Sequence, residues 1–228
     1  MWRMLESPSA KTRPPRHRVA GIDGCRDGWV IASSDGVEVV RVLADAWPRF
    51  DVIGIDMPIG LPSTFARVCE QQARRLLSPR ASTVFPSPPR SLLSCTTYAE
   101  ANARSKAAFG KGLTMQTFNL FPKIREVDAL VSHSDDDRVA EIHPECAFRR
   151  LAGHALAPKR SADGREQRVA LLEPIFGSID VRVRGARPDD VLDAFAVLWS
   201  ARRFAAGAHE QLGDGARDER DLPMRLVF

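Results

Sequence analysis

The sequence predicts an α/β domain: a mixed sheet, in which an antiparallel three-strand meander is continued by parallel strands, flanked by helices and carrying helical insertions. Three observations lead there. Short apolar runs separated by glycine-containing turns follow one another between residues 19 and 42. A second buried run, Val52-Ile53-Gly54-Ile55-Asp56, ends in an aspartate as the first one does. Longer helical patterns then fill the remainder, the arrangement expected of helices packed on a sheet. A chain of 228 residues is long enough for one well-buried core. Its 44% hydrophobic and 27% charged residues exclude a chain disordered throughout.

Residues 1–18 hold Lys11, Arg13, Pro14, Pro15, Arg16, His17 and Arg18 with almost no apolar periodicity, which predicts a flexible basic arm. The folded domain is expected over 19–207. Val19-Ala20-Gly21-Ile22-Asp23, Trp29-Val30-Ile31-Ala32 and Val37-Glu38-Val39-Val40-Arg41-Val42 read as three strands joined by tight turns at 24–28 and 33–36. A brief helical link over 44–50 leads to the strand that ends at Asp56. Helices are predicted over 65–77, 97–109 and 115–131, with the proline-rich 85–90 as a rigid surface loop. Residues 137–143 read as a further strand stopped by Pro144, followed by a short helix at 148–151. A basic stretch with Lys159, Arg160, Arg165 and Arg168 enters a helix ending near Phe176. The last helix starts at Pro188-Asp189 and stops at Gly207, with proline and acids at its start and glycine at its end. The tail, 208–228, is polar until Pro223-Met224-Arg225-Leu226-Val227-Phe228, which reads as a terminal edge strand.

Thirty-three Lys and Arg against 29 Asp and Glu give a net charge of +4, compatible with phosphate-bearing partners. Cys25, Cys69, Cys95 and Cys146 have neither zinc-site nor disulfide-framework spacing and read as reduced thiols. With no apolar stretch of membrane-spanning length and no hydrophobic signal core, a cytoplasmic protein with no membrane partner is expected. Aromatic content of 7%, with one tyrosine, gives no evident stacking platform for single strands.

Two parallel core strands that both end in Asp bring Asp23 and Asp56 to one sheet edge, where α/β folds bind ligands. Asp190 and Asp193 are three apart on the last helix, hence on one face, beside the apolar Val191, Leu192, Phe195, Leu198 and Trp199. Clustered carboxylates repel and lose hydration, so four together call for cations. Oxygen ligands favour Mg²⁺ or Mn²⁺, and two such ions can stabilise both the attacking and leaving oxygens of a phosphodiester displacement. Taken alone, Asp23-Gly24 is also a common hairpin turn, and the helical pair would also suit N-terminal capping.

The sequence resembles the DUF429 family of predicted nucleases with a ribonuclease H-like fold. The matching stretches are Gly21-Ile22-Asp23-Gly24-Cys25 with Gly28-Trp29-Val30, Ile55-Asp56-Met57-Pro58-Ile59-Gly60-Leu61-Pro62, and Val84-Phe85-Pro86-Ser87-Pro88-Pro89-Arg90. Further matches are Pro122-Lys123-Ile124-Arg125-Glu126-Val127-Asp128, Glu141-Ile142-His143-Pro144-Glu145, and Asp189-Asp190-Val191-Leu192-Asp193-Ala194. The resemblance implies Asp23 on the first strand bridging two metals, Asp56 on the fourth binding one, and Asp190 with Asp193 completing the other. The implied activity is metal-dependent nuclease hydrolysis of nucleic acid.

Glu145 or Glu141 is a candidate fifth acid or water orienter, with His143 beside them on the substrate side. Capping by Glu145 and a structural hydrogen bond from His143 are the alternatives. Arg90 and Lys123 are candidate substrate-binding residues, followed by Arg125, Lys159 and Arg160; a solvated basic face is the alternative. Two other functions stay open: a non-catalytic nucleic-acid or protein-binding module, and a Mg-nucleotide phosphohydrolase of the kind the fold's kinship with sugar kinases and actin-like ATPases implies.

Overall fold

The computed structural model describes residues 17–228, so the basic arm expected over 1–18 lies, except for its last two residues, outside the described residues. Strands β1 (Val19–Cys25), β2 (Gly28–Ser33) and β3 (Gly36–Val40) form the antiparallel meander, and β4 (Val52–Ile55) and β5 (Val139–Glu141) extend it in parallel. The spatial order is β3-β2-β1-β4-β5. The chain is therefore α/β with a mixed five-stranded sheet.

Side-chain alternation sorts the sheet into two covered faces. Ala20, Ile22, Trp29, Ile31, Ile53 and Ile55 point into one core, closed by Phe121, Ile124 and Val127 of α4 (Phe121–Leu130). Val30 and Ala32 point the other way, against α5 (Pro144–Ala152), α6 (Ala162–Phe176) and α7 (Pro188–Ala205). On this second face β1 and β4 carry glycines where bulkier residues would stand. A Cβ on Gly21 would lie 2.1 Å from the Leu198 nitrogen and 2.3 Å from the Ala194 oxygen, and one on Gly54 2.9 Å from the Ala201 Cβ. Bare backbone thus lets α7 lie directly on the central strands. By the same alternation Asp23 and Asp56 fall on the face that α7 covers.

Between β4 and β5 come α1 (Val68–Leu76), α2 (Tyr98–Phe109), α3 (Met115–Asn119) and α4. The helix expected over 115–131 is divided at Leu120, because Pro122 in the first turn of α4 cannot donate back to a preceding turn. The link over 44–50 is a pair of 3-10 turns, Leu43–Asp45 and Trp47–Arg49. The proline-rich segment is only partly a surface loop: Phe85 is exposed, whereas Ser87, Pro88 and Pro89 are buried. The reason is Glu70 on α1, whose buried carboxylate accepts from the Ser87 amide (2.9 Å) and hydroxyl (2.5 Å). The tail also departs from expectation. β7 (Leu226–Val227) pairs with β6 (Gln211–Leu212) in a separate two-stranded sheet and does not extend the main one.

Candidate functional site

Parallel pairing sets Ile22 opposite Ile55, and the Asp56 amide donates to the Ile22 carbonyl at 2.9 Å, so Asp23 and Asp56 follow as neighbours at the carboxyl ends of β1 and β4. Their carboxyls are close enough that the Asp56 charge acts on Asp23, and Asp23 Oδ1 accepts from the Gly24 amide at 2.8 Å. Asp193, one turn into α7, is brought to them by the close packing of that helix on Gly21. All three line a cleft of about 610 Å³ together with Lys123, His143, Glu145 and Lys159.

The electrostatics are those of crowded acids. Burial, then Asp56 and Asp193, push the Asp23 carboxyl well above the ordinary carboxylate range. Burial likewise raises Asp56, with Glu145 adding to it and His143 and Lys159 opposing. Burial raises Asp193 to about 6 against the pull of Lys159. Loss of hydration on burial is the first cause in all three, and neighbouring carboxylates add to it. Asp193 Oδ2 accepts from Lys159 Nζ at 2.6 Å, while its Oδ1 is buried without a hydrogen-bond partner.

Lys159 reaches the acids because Arg168 holds the loop that carries it. Arg168, 1% exposed, donates to the Ala157 carbonyl (3.0 Å), the Gly164 carbonyl (2.8 Å) and Glu145 Oε1 (2.7 Å). Gly164 makes the fit possible, since a Cβ there would meet the Pro158 oxygen at 2.0 Å. Glu145 thus lines the cleft with one oxygen committed to an arginine. His143 Nδ1 accepts from the Glu145 amide at 3.2 Å, which leaves its Nε2 proton to donate to the Thr83 carbonyl, also at 3.2 Å. His143 therefore ties the segment over the cleft to the floor of the site.

Glu141 also lines the cleft, together with Arg67 and Glu70, but its carboxylate is fully engaged. Its two oxygens take the Arg67 guanidinium as a fork at 2.6 and 2.7 Å, and the Ile59 amide donates to Oε2 at 2.7 Å. Arg67 also donates to Glu70 Oε1 at 2.9 Å. This buried triad fixes residues 59–60, the Asp56-bearing turn and the proline segment at once. Sequence reasoning left Arg67 and Glu70 unremarked, named Arg168 only as part of a basic stretch, and offered Lys159 as a candidate phosphate contact without its pairing to Asp193. The signal within reach was the Arg67/Glu70 spacing of three residues on or beside one helix.

Other expected site residues stand elsewhere. Asp190 is half-buried; its Oδ2 accepts from the Arg187 amide at 2.9 Å and caps α7, although its charge still acts on Asp23. Arg90 is held by Asp128 at 2.6 Å and by Asp218, away from the cleft lining. Arg125 donates to the Leu93 and Cys95 carbonyls. Lys123 does line the cleft: its ammonium donates to the Gly28 carbonyl at 2.5 Å and lies 4.3 Å from the centre of the Trp29 ring.

Among the described residues, no three His, Cys, Asp or Glu side chains stand as a closed metal-ligand set. The donor chemistry nonetheless suits a hard divalent ion. Asp23, Asp56 and Asp193 are all oxygen donors under the influence of the Lys159 charge, and Asp193 Oδ1 has no hydrogen-bond partner. Asp23, Asp56 and Asp193 are the residues that would hold it. Among the described residues, no helix is long and apolar enough to cross a membrane. A family model described as "Protein of unknown function (DUF429)" matches residues 21–217. No curated protein and no solved structure matches the chain.

Proposed function

For a chain that belongs to the DUF429 family, we propose a divalent-metal-dependent hydrolase of phosphodiester bonds on a ribonuclease H-like fold, acting on nucleic acid in the cytoplasm. One observation carries the reading: buried Asp23 and Asp193 and half-buried Asp56, from two parallel strand ends and one helix, meet in a cleft with more negative charge than Lys159 balances. The antiparallel meander continued by parallel strands supports the fold. Four free, buried cysteines suit a reducing compartment.

Bound Mg²⁺ or Mn²⁺, as one ion or a pair, would supply positive charge to the phosphate oxygens and a water acidified enough to attack phosphorus. The side chains do the positioning. Asp23 and Asp56, fixed by the β1–β4 ladder, and Asp193 on α7 are the residues that would hold the metal. Lys159 Nζ, already within the acid cluster, would offer its charge to a non-bridging phosphate oxygen. Lys123 contributes a second positive charge at the rim beside Gly24, across which its side chain lies. Glu145, oriented by Arg168, is placed to accept a hydrogen bond from the attacking water. The displaced sugar oxygen departs with a proton from solvent.

The size of the cleft favours a second reading, hydrolysis of a Mg-nucleotide, since about 610 Å³ is the volume of a small-ligand pocket. The test is cleavage of labelled DNA and RNA oligonucleotides and of nucleoside triphosphates with Mg²⁺, Mn²⁺ or EDTA. Oligonucleotide cleavage that needs the metal and drops at least about 100-fold in Asp23→Asn is expected. Undiminished cleavage by a folded Asp23→Asn variant overturns the site, and triphosphate turnover alone selects the second reading.

A further inference from the structure

A second cavity of about 370 Å³ opens beside the carboxylate cleft, lined by Lys159, Arg160, Arg165, Arg187, Pro188 and Asp189. Lys159 and Arg160 belong to both linings. Lys159 is committed to Asp193, whereas Arg160, Arg165 and Arg187 are exposed and have no ion-pair partner among the described residues. Three arginines gathered around one concavity, with Asp189 the carboxylate among them, repel one another unless an anion joins them. Arginine forks are suited to phosphate oxygens, which they bind in pairs.

The cavity is built rather than incidental. Arg165 follows the Ser161 cap of α6, whose hydroxyl accepts from the Gly164 amide at 3.0 Å. Arg187 immediately precedes α7, the helix that carries Asp193. The two helices pack against each other, and the buried Arg168 pins the intervening loop. The arginines are thus rigidly referenced to the catalytic acids, with Lys159 on the wall between.

We infer that this cavity is a phosphate subsite that holds the backbone of a single-stranded nucleic acid next to the phosphodiester being cut. The inference rests on the hydrolase reading for its substrate class. A single strand can pass from the arginine cavity along Lys159 and Arg160, which line both, into the cleft, whose volume of about 610 Å³ suits one strand's nucleotides and not a duplex. The contacts are with phosphate, so they position the strand and carry no base sequence.

The test is fluorescence anisotropy with a labelled single-stranded 12-mer in EDTA, where no cleavage occurs, over a range of salt. The triple variant Arg160→Gln, Arg165→Gln, Arg187→Gln is expected to bind at least about tenfold more weakly, with the salt slope reduced by about 2, since each lost contact removes roughly 0.7. The matching triple Arg→Lys variant, which keeps the charge, should retain most of the binding. Equal binding by wild type and the Gln variant overturns the subsite. So does arginine-dependent binding of tripolyphosphate when the oligonucleotide does not bind, which would make the site one for free polyphosphate. The two readings fail separately. Arginine-dependent binding without metal-dependent cleavage sinks the hydrolase and leaves the subsite, whereas cleavage with an unchanged KM in the Gln variant does the reverse.

Discussion

Asp193 accepts from Lys159 through one oxygen and has no partner for the other, at 2% exposure. Burial raises its carboxyl from 3.8 to about 6, so between those two values the folded state binds more protons than the unfolded chain. Stability then falls as pH rises through that window and stays reduced above it. The shift corresponds to a penalty on the order of 3 kcal/mol at neutral pH, shared with the coupled Asp23 and Asp56. Asp193→Asn removes the charge and keeps the shape. In EDTA its melting temperature is expected to exceed that of wild type at pH 8, with the difference closing by pH 4. Adding Mn²⁺ should raise wild type and leave the variant unmoved. A variant that melts below wild type at pH 8 would show that the Lys159 pair outweighs the crowding. A site that costs the empty protein stability is what ligand-dependent function predicts, since the cation recovers it by mass action.

Helix α7 is the element that makes the site, and two glycines decide where it lies. Gly21→Ala would drive a methyl group to 2.1 Å from the backbone of Leu198, and helix backbone has no rotamer with which to yield. Urea unfolding should show a loss of about 1–3 kcal/mol, accompanied by a fall in cleavage as Asp193 moves off Asp23. A wild-type midpoint and rate would mean that the helix tolerates sliding. This element was legible in the sequence because its signals are local: Pro188 at the start, apolar spacing along it, and Asp193 one turn in. Asp23 and Asp56 were legible for a related reason, as strand alternation and a repeated strand-end aspartate fix their face. Lys159 was not, since its place depends on Arg168, nine residues later, reaching Glu145 on another helix. The pairing of Arg90 was hidden in the same way: its partner Asp218 lies 128 residues on, and no periodicity reports such a pair. The proline segment read as surface for want of Glu70, which draws it inward from 17 residues away.

Across the whole molecule, the C-terminal tail closes the structure around the site. Leu226 and Phe228 pack with Cys69, Ala73, Leu77 and Val84, joining α1 and the segment over the cleft, and Leu226 reaches the cleft lining. Asp218 fastens the tail to the turn beyond Asp56. Its Oδ2 accepts from the Leu61 amide at 2.9 Å and from Arg90, and its Oδ1 accepts from the Leu222 and Arg220 amides at 2.9 and 2.8 Å. Burial works against this carboxylate, but those donors prevail and hold its pKa below 3.8. A depressed carboxylate contributes stability that is present above the unfolded value and lost as pH falls through the folded one, opposite in sign to Asp193. Asp218→Asn keeps the volume while exchanging an acceptor for an amide that faces the Leu61 amide and Arg90. It should cost about 1–3 kcal/mol at pH 7 and flatten the acid limb of the stability curve below pH 4. Because Leu61 follows directly from the strand end that carries Asp56, the same variant should raise KM for an oligonucleotide more than it lowers melting temperature would suggest. Midpoints that track wild type at both pH 7 and pH 3 would mean that the tail rests on the domain without holding the cleft in shape.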